Sequence, residues 1–293
     1  MPTVTMKDML EAGVHYGHQT NHWNPRMKKY VYGARNGIYI LDLEQTVERA
    51  KKACEFIKSV TGEGKKIIFV GTKKQAKEVI ETEAKRSGQY YVSERWLGGM
   101  LTNFQTVKAS IDRLKKLESL KLTEQWNDYT KKEQSGFDRE LGKLRKGLGG
   151  IQDMKKLPGA IFLIDTTKEH IAIQEAKRLH IPTIAIVDTN CDPTGIDFMI
   201  PGNDDAFRSV SLFAKMIADA CLEGTQMFQE KLRAAGGAID KNEDGTEKKI
   251  SRFEGDIDLK GVDAAELAAM DQPPVEEADA ATVAAVLAKS AKK

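Results

Sequence analysis

Two kinds of hydrophobic spacing alternate along the chain. Short, near-continuous runs of Ile, Val, Phe and Leu recur at "KKIIFVGT" (65–72), "PGAIFLIDTT" (158–167) and "IPTIAIVDTN" (181–190). Each has the length of a strand buried on both faces. Around them, "DLEQTVERAKKACEFIKSV" (42–60), "KKQAKEVIETEAKRSG" (73–88), "KEHIAIQEAKRLH" (168–180) and "NDDAFRSVSLFAKMIADACLEG" (203–224) space their apolar residues at helical period. "GIYILDL" (37–43) and "QYYVSE" (89–94) read as further strands. Near the start, Thr5 is an N-cap for a short helix with Met6, Met9 and Leu10 on one face and Gly13 as its stop. Buried strands separated by amphipathic helices predict an α/β fold: a doubly wound parallel sheet with helices on both faces.

Two segments break the alternation. Phe104, Val107, Ile111 and Leu114 step by 3, 4 and 3, and Phe137, Leu141, Leu144, Leu148 and Ile151 step by 4, 3, 4 and 3. These heptad spacings predict an inserted coiled-coil helical hairpin over 103–156, with Thr130 and Glu133 as a capping box for its second helix. Gly136 and Gly142 lie inside that second helix and soften it by roughly 1 kcal/mol each. The stretch "RWLGGMLTNF" (95–104) precedes the hairpin. There Thr102 and Gln105 have capping-box spacing, Gly98 and Gly99 permit a sharp exit from the sheet, and Trp96 anchors the corner. The remaining sequence divides into one discontinuous globular domain, 1–102 and 157–228, and a tail, 229–293, whose polar composition predicts disorder, with a transient helix at "ATVAAVLAKSAKK".

Composition narrows the function classes. A chain of 293 residues with 41% hydrophobic and 30% charged residues is ordinary for a globular protein. Three widely spaced cysteines support neither a disulfide framework nor a zinc knuckle. No targeting segment and no apolar run of roughly 18 residues is present, which points to a cytoplasmic protein without a membrane partner. The net charge of +2 conceals a local asymmetry. Residues 15–36 carry Arg26, Lys28, Lys29 and Arg35 and no Asp or Glu, interleaved with His15, His18, His22, Tyr16, Trp23, Tyr30, Tyr32, Asn21, Asn24 and Asn36. Cations neutralise phosphates, amides reach base edges and aromatic rings stack on unpaired bases, so this stretch reads as an RNA-binding loop. The blander alternative is a solvated basic face with its tyrosines in the sheet.

In a sheet of this kind, enzyme chemistry would sit at the strand ends on the carboxyl rim. "VGTKKQ", "IDTTKE" and "VDTNCDPTG" match no glycine-rich phosphate loop, and no nucleophile–base signature occurs. Thr72 reads as a cap for the helix that follows, or, with Gly71, as part of an anion site. The histidines His15, His18 and His22 have the spacing of metal ligands, but Gly17 argues against a helix there. Asp188, Asp192, Asp204 and Asp205 can gather around a divalent cation, or serve as turn and cap residues together with Asn203. A nucleotide-dependent α/β enzyme or switch is thus an alternative with no phosphate loop to support it.

"GVHYGHQTNHWNPRMKKYVYGARNGIYILDL", "IIFVGTKKQA", "RWLGGMLTNF", "PGAIFLIDTTKEHIAIQEAKRLHIPTIAIVDTNCDP" and "IPGNDDA" resemble, in order and spacing, the S-two family of bacterial small-subunit ribosomal proteins. The resemblance runs from about residue 3 to 225 and includes the hairpin; the extended tail departs from it. It implies a Rossmann-like (flavodoxin-like) sheet and a non-enzymatic protein with no small-molecule substrate and no required cofactor. The implied seat is on small-subunit ribosomal RNA between head and body, beside neighbouring ribosomal proteins. One implied task is to help dock the first small-subunit protein, which recruits messenger RNA for translation. RNA-facing residues carried onto this chain are His15, His18, Asn24, Arg26, Lys28, Lys29 and Arg35, joined by Lys73, Lys74 and Arg95. An association of the family with zinc leaves Asp188, Asp204 and Asp205 as metal candidates.

Overall fold

A computed structural model describes residues 5–234. Residues 229–234 of the predicted tail are helical rather than disordered, continuing the last helix, and the rest of the tail with its C-terminal helix lies outside the described residues. In chain order the elements are α1 (Met6–Glu11), β1 (Tyr16–Gln19), β2 (Val31–Arg35), β3 (Ile38–Leu41), α2 (Leu43–Thr61), β4 (Ile67–Val70), α3 (Lys74–Ser87) and β5 (Tyr90–Val92). They continue with α4 (Phe104–Leu122), α5 (Lys131–Leu148), β6 (Ala160–Ile164), α6 (His170–Arg178), β7 (Thr183–Val187), β8 (Phe198–Pro201) and α7 (Phe207–Ala234).

Five strands form one parallel sheet in the order β5-β4-β6-β7-β8. Relative to chain order this is the flavodoxin-like 2-1-3-4-5 arrangement, with its switch point between β4 and β6. The continuous apolar runs are explained by two-sided burial. Ile67, Phe69, Phe162, Ile164, Ile184 and Ile186 pack on one face against α2, α3 and α7. Their alternates Ile68, Val70, Ile161, Leu163, Ala185 and Val187 pack on the other, against α6 and the root of α4 and α5. Phe69 and Phe162 meet edge-on at 5.5 Å, a geometry worth about 1 kcal/mol beyond the area it buries. The strand β8 was not anticipated from sequence. It is an edge strand ending in Pro201, where the lack of an N–H costs the sheet nothing.

The N-terminal region differs from expectation. Residues 15–36 are not a loop: they form β1, a 3₁₀ turn over Pro25–Tyr30, and β2. "GIYILDL" does supply a strand, β3, but in a separate antiparallel sheet of order β1-β3-β2 rather than in the parallel sheet. The predicting pattern was ambiguous because β3 is half-buried, with only Leu41 fully enclosed.

Capping chemistry decides the hairpin region. Thr130 and Glu133 form the expected capping box at the start of α5, as Thr5 and Asp8 do at α1. Helices α4 and α5 pack on each other: Ile111, Leu114, Leu117 and Leu148 are buried, and Phe104, Val107, Leu141 and Leu144 are partly so. Arg113–Glu140, Lys121–Asp138 and Arg145–Glu118 ion pairs cross between the two helices. At the far end Phe137 meets Tyr129 edge-on at 5.2 Å and Trp126 at 6.2 Å. The expected capping box at Thr102 and Gln105 does not form. Asn103 is the N-cap of α4 and gives the backbone no side-chain cap bond, its Oδ1 accepting from Thr106 Oγ1 at 2.9 Å, and Thr102 is held elsewhere.

That other partner is Glu175 on α6. Its carboxylate accepts hydrogen bonds from Trp96 Nε1 (3.1 Å), Gly99 N (2.7 Å), Leu101 N (3.0 Å), Thr102 N (3.1 Å) and Thr102 Oγ1 (3.1 Å). Trp96, 5% exposed, packs in the core beside Met100 and Leu101. Gly99 adopts φ +85°, a left-handed conformation that costs glycine little and turns its N–H onto the carboxylate. The root of the hairpin is thus a loop wrapped around one buried anion.

Candidate functional site

The carboxyl rim of the sheet is where α/β folds of this topology hold their ligands. Here it is filled by the protein's own charges. Lys73, at the end of β4, places Nζ 2.7 Å from Asp204 Oδ1, 2.8 Å from Asp205 Oδ1 and 3.3 Å from Asp165 Oδ2. Burial opposes the charge on Lys73, but the three carboxylates together outweigh it and raise its pKa. Thr72 does not cap α3, whose N-cap is Lys73 without a side-chain bond. Instead its hydroxyl donates to Glu169 Oε1 at 2.6 Å across the switch point.

His18, on β1, bridges the other side of the cluster. Nδ1 lies 3.1 Å from Asp188 Oδ2 and Nε2 lies 3.2 Å from Asp205 Oδ2. Asp188, followed by Asp205 and Asp204, raises the imidazole pKa against the opposing effect of burial. The Nδ1 contact has ion-pair distance but poor hydrogen-bond alignment, so Asp188 Oδ2 and His18 Nδ1 remain without an aligned partner. Asp204 Oδ2 is also buried and unpartnered. Burial, reinforced by Asp188 and Asp165, pushes the Asp204 carboxyl up to about 7 despite the pull of Lys73.

The rim loops also satisfy their own backbone. Asp165 Oδ1 accepts from Thr167 N at 3.0 Å, Asp192 Oδ1 from Thr194 N at 2.9 Å, and Asn203 Oδ1 from Asp205 N at 2.9 Å and Ala206 N at 3.1 Å. A bound phosphate needs free N–H donors and positive potential. In these loops the donors are engaged and the nearest side chains are carboxylates. For Asp192 and Asn203 the turn reading of the sequence is the observed one. As for metal, two sets of donor atoms among the described residues converge within 4.8 Å of one another, His18, Asp188 and Asp204 and, more deeply buried, Asp165, Cys191 and Asp204; neither is the expected Asp188, Asp204 and Asp205. One imidazole nitrogen and two carboxylates with unpartnered oxygens suit a zinc-like divalent ion. Both oxygens of Asp205 are already matched to Lys73 and His18.

A titration prediction follows. Asp204 has a raised folded pKa, so the unfolded chain binds fewer protons between the ordinary carboxylate value and about 7, and stability falls as pH rises through that window. The raised His18 pKa adds stability below its unfolded value of 6.5 that is lost as pH climbs through the folded one. Both effects have the same sign. In chelator-treated buffer, urea midpoints of the native chain should decline from pH 5 to pH 8, and Asp204→Asn should flatten that decline. Parallel profiles for the two proteins would show that Asp204 is ionised throughout.

The expected RNA-facing residues fall into distinct settings. The segment 15–36 is tied to the rim: His18 N donates to Thr189 Oγ1 at 2.8 Å, and Asn24 N to Thr189 O at 2.8 Å. Gly17 permits this approach, since a Cβ there would lie 2.5 Å from the Thr189 methyl. Asn24 caps the 3₁₀ turn through Arg26 N at 3.0 Å, and His15 is half-buried against Tyr16 with its pKa lowered by burial. Arg26 is exposed but pairs with Asp192 and Thr194. Lys73 is withdrawn into the cluster described above. Lys28, Lys29, Arg35, Lys74 and Arg95 are exposed, and none has an ion-pair partner among the described residues. Sequence reasoning missed Thr189, Glu169 and Glu175, which carry no motif: each matters only because the fold brings a distant donor to it.

A Rossmann-like α/β protein whose ligand crevice is closed by internal salt bridges, and which turns bare cations outward beside it, is a scaffold rather than a nucleotide enzyme. The family described as "Ribosomal protein S2" matches residues 9–224, and the chain belongs to it. It is 57% identical over 233 residues to "Small ribosomal subunit protein uS2" of Bdellovibrio bacteriovorus, covering 80% of this chain and 74% of that one. The protein of the same name from Desulforapulum autotrophicum is 57% identical over 234 residues (80% and 84% of the two chains), and that of Desulfatibacillum aliphaticivorans 55% over 231 residues (79% and 79%). The chain is accordingly a structural, non-enzymatic protein of the small ribosomal subunit. No described helix is long and apolar enough to cross a membrane.

Proposed function

We propose that this protein binds small-subunit ribosomal RNA through the N-terminal sheet and its flanking cations. The observation that carries the reading is the setting of Lys28, Lys29 and Arg35. They sit on a segment with no acidic residue, folded and pinned to the rim, and they have no carboxylate partner among the described residues. A cation held on a rigid element and left unneutralised is suited to phosphate, because binding releases counterions without first breaking a salt bridge. Lys74 and Arg95 extend the same exposed set. The seat between head and body, the contacts with neighbouring proteins, the cytoplasmic location and the docking of the first small-subunit protein for messenger-RNA recruitment belong to the same proposal and rest on the family resemblance.

Two experiments test it. Tagged protein from a lysate should cosediment with small subunits in moderate salt, and recovery only at the top of the gradient would overturn the proposal. Lys28→Ala with Arg35→Ala should weaken binding to deproteinised small-subunit ribosomal RNA and reduce the log–log salt slope by up to about two units. An unchanged slope would mean that these cations do not reach phosphate.

A further inference from the structure

Beneath the N-terminal sheet lies a second feature that the sequence motifs did not single out. A cavity of about 500 Å³ opens between the 3₁₀ turn, α2 and the loop joining β7 to β8. Its apolar wall includes Ile196 and Met199, and its polar wall includes Arg26, Lys29 and Arg49 around Tyr30. The Tyr30 ring is buried, and two cations converge on it: Lys29 Nζ at 4.9 Å and Arg49 Cζ at 4.8 Å from the centroid. Among the described residues neither of these two has a carboxylate partner. Of the acidic groups nearby, Asp192 is paired with Arg26, and Asp197, which also lines the cavity, keeps its charge while accepting from Thr183 N and Oγ1 at 2.8 and 3.1 Å, so the wall carries three cations against one carboxylate left unpaired among the described residues. The arrangement is an anion notch: two cations held over one buried ring, a third in the same wall, and an apolar wall facing them.

We infer that Arg49, with Lys29, grips a phosphodiester of the ribosomal RNA backbone in this notch. The inference rests on the RNA-binding reading above and adds to it a residue on α2, outside the basic N-terminal stretch. A planar guanidinium held against an aromatic face keeps its fork available for two phosphate oxygens, whereas a lysine there acts as a point charge.

The test uses the full chain and deproteinised small-subunit ribosomal RNA. Arg49→Gln should lower affinity several-fold, uniformly across RNA sequences, and lower the salt slope by about one unit. Arg49→Lys should restore the slope and only part of the affinity. Lys29→Gln alters a side chain on the surface and leaves the core intact, so its loss of slope supports the notch even if Arg49→Gln folds poorly. Should both glutamine variants bind as the native chain does while Lys28→Ala with Arg35→Ala binds weakly, the notch is overturned and the RNA-binding reading stands. A native chain that does not bind this RNA at all would remove both.

Discussion

Glu175→Ala should destabilise the protein by about 3–5 kcal/mol. One carboxylate that is 6% exposed accepts five hydrogen bonds from the loop between β5 and α4. Removing it leaves the indole N–H and the Leu101 amide buried without acceptors, and each such orphan costs roughly 1–3 kcal/mol. Water can rescue the donors at Gly99 and Thr102, which are less enclosed, so the loss stays below the sum. Glu175→Gln keeps one oxygen but turns an NH₂ toward donors, and should recover only part of the loss. The acid limb carries a second signature. Burial alone would raise the Glu175 pKa, but the Thr102, Leu101, Trp96 and Gly99 donors outweigh burial and hold it below the ordinary value of 4.5. The stability it contributes is present above that value and is lost as pH falls through the folded pKa. Urea denaturation from pH 7 to pH 3 would show this as a steeper acid decline in the native chain than in Glu175→Gln. Equal declines would place the charge of Glu175 outside the balance. Tryptophan fluorescence reports the same event directly, since Trp96 leaves its anchor when the loop opens.

Lys73→Met should cost a comparable amount at neutral pH, about 3–5 kcal/mol, by stripping the counter-charge from Asp165, Asp204 and Asp205. The effect depends on pH with a definite sign. Asp204 already titrates at about 7 with Lys73 present, and without that ammonium its folded pKa climbs further above the unfolded value. A carboxyl of this kind destabilises increasingly as pH rises, so the deficit should be greater at pH 8 than at pH 5, where the proton replaces the lysine charge. Urea midpoints at the two pH values measure it. A deficit that does not change with pH would mean that lost packing, and not uncompensated charge, is responsible. Because Lys73 is 8% exposed and engaged by three carboxylates, the folded variant should also retain the native salt slope for RNA.

The strands β4, β6 and β7 and the helices around them were legible because two-sided burial leaves nothing but apolar residues in a strand, and one-sided burial leaves a 3.6-residue period in a helix. The caps at Thr5 and Thr130 were legible because capping is local chemistry within one turn. The capping spacing at Thr102 and Gln105 misled for the same reason read in reverse: spacing says what a side chain can reach nearby, and Glu175 offered Thr102 a buried, charged acceptor from another helix. Of the N-terminal strands, β1 and β2 were hidden by exposure, since a strand such as β2, carrying Tyr32 at 83% exposure, shows no apolar pattern to read.

Among the cations, composition located the basic stretch without separating its members. Lys28 and Lys73 are the same residue type in similar lysine pairs, yet one is exposed and unpaired while the other is buried among three aspartates. The amino-acid sequence alone determined the layered α/β architecture, the helical insertion and the family, because each depends on patterns contiguous along the chain. Only the tertiary structure decided which charges neutralise one another across the rim, which carboxylate holds the hairpin root, and that Arg49 joins Lys29 at Tyr30. Electrostatic pairing depends on distance in space, and residues 73 and 204 or 99 and 175 acquire that distance only when the sheet closes.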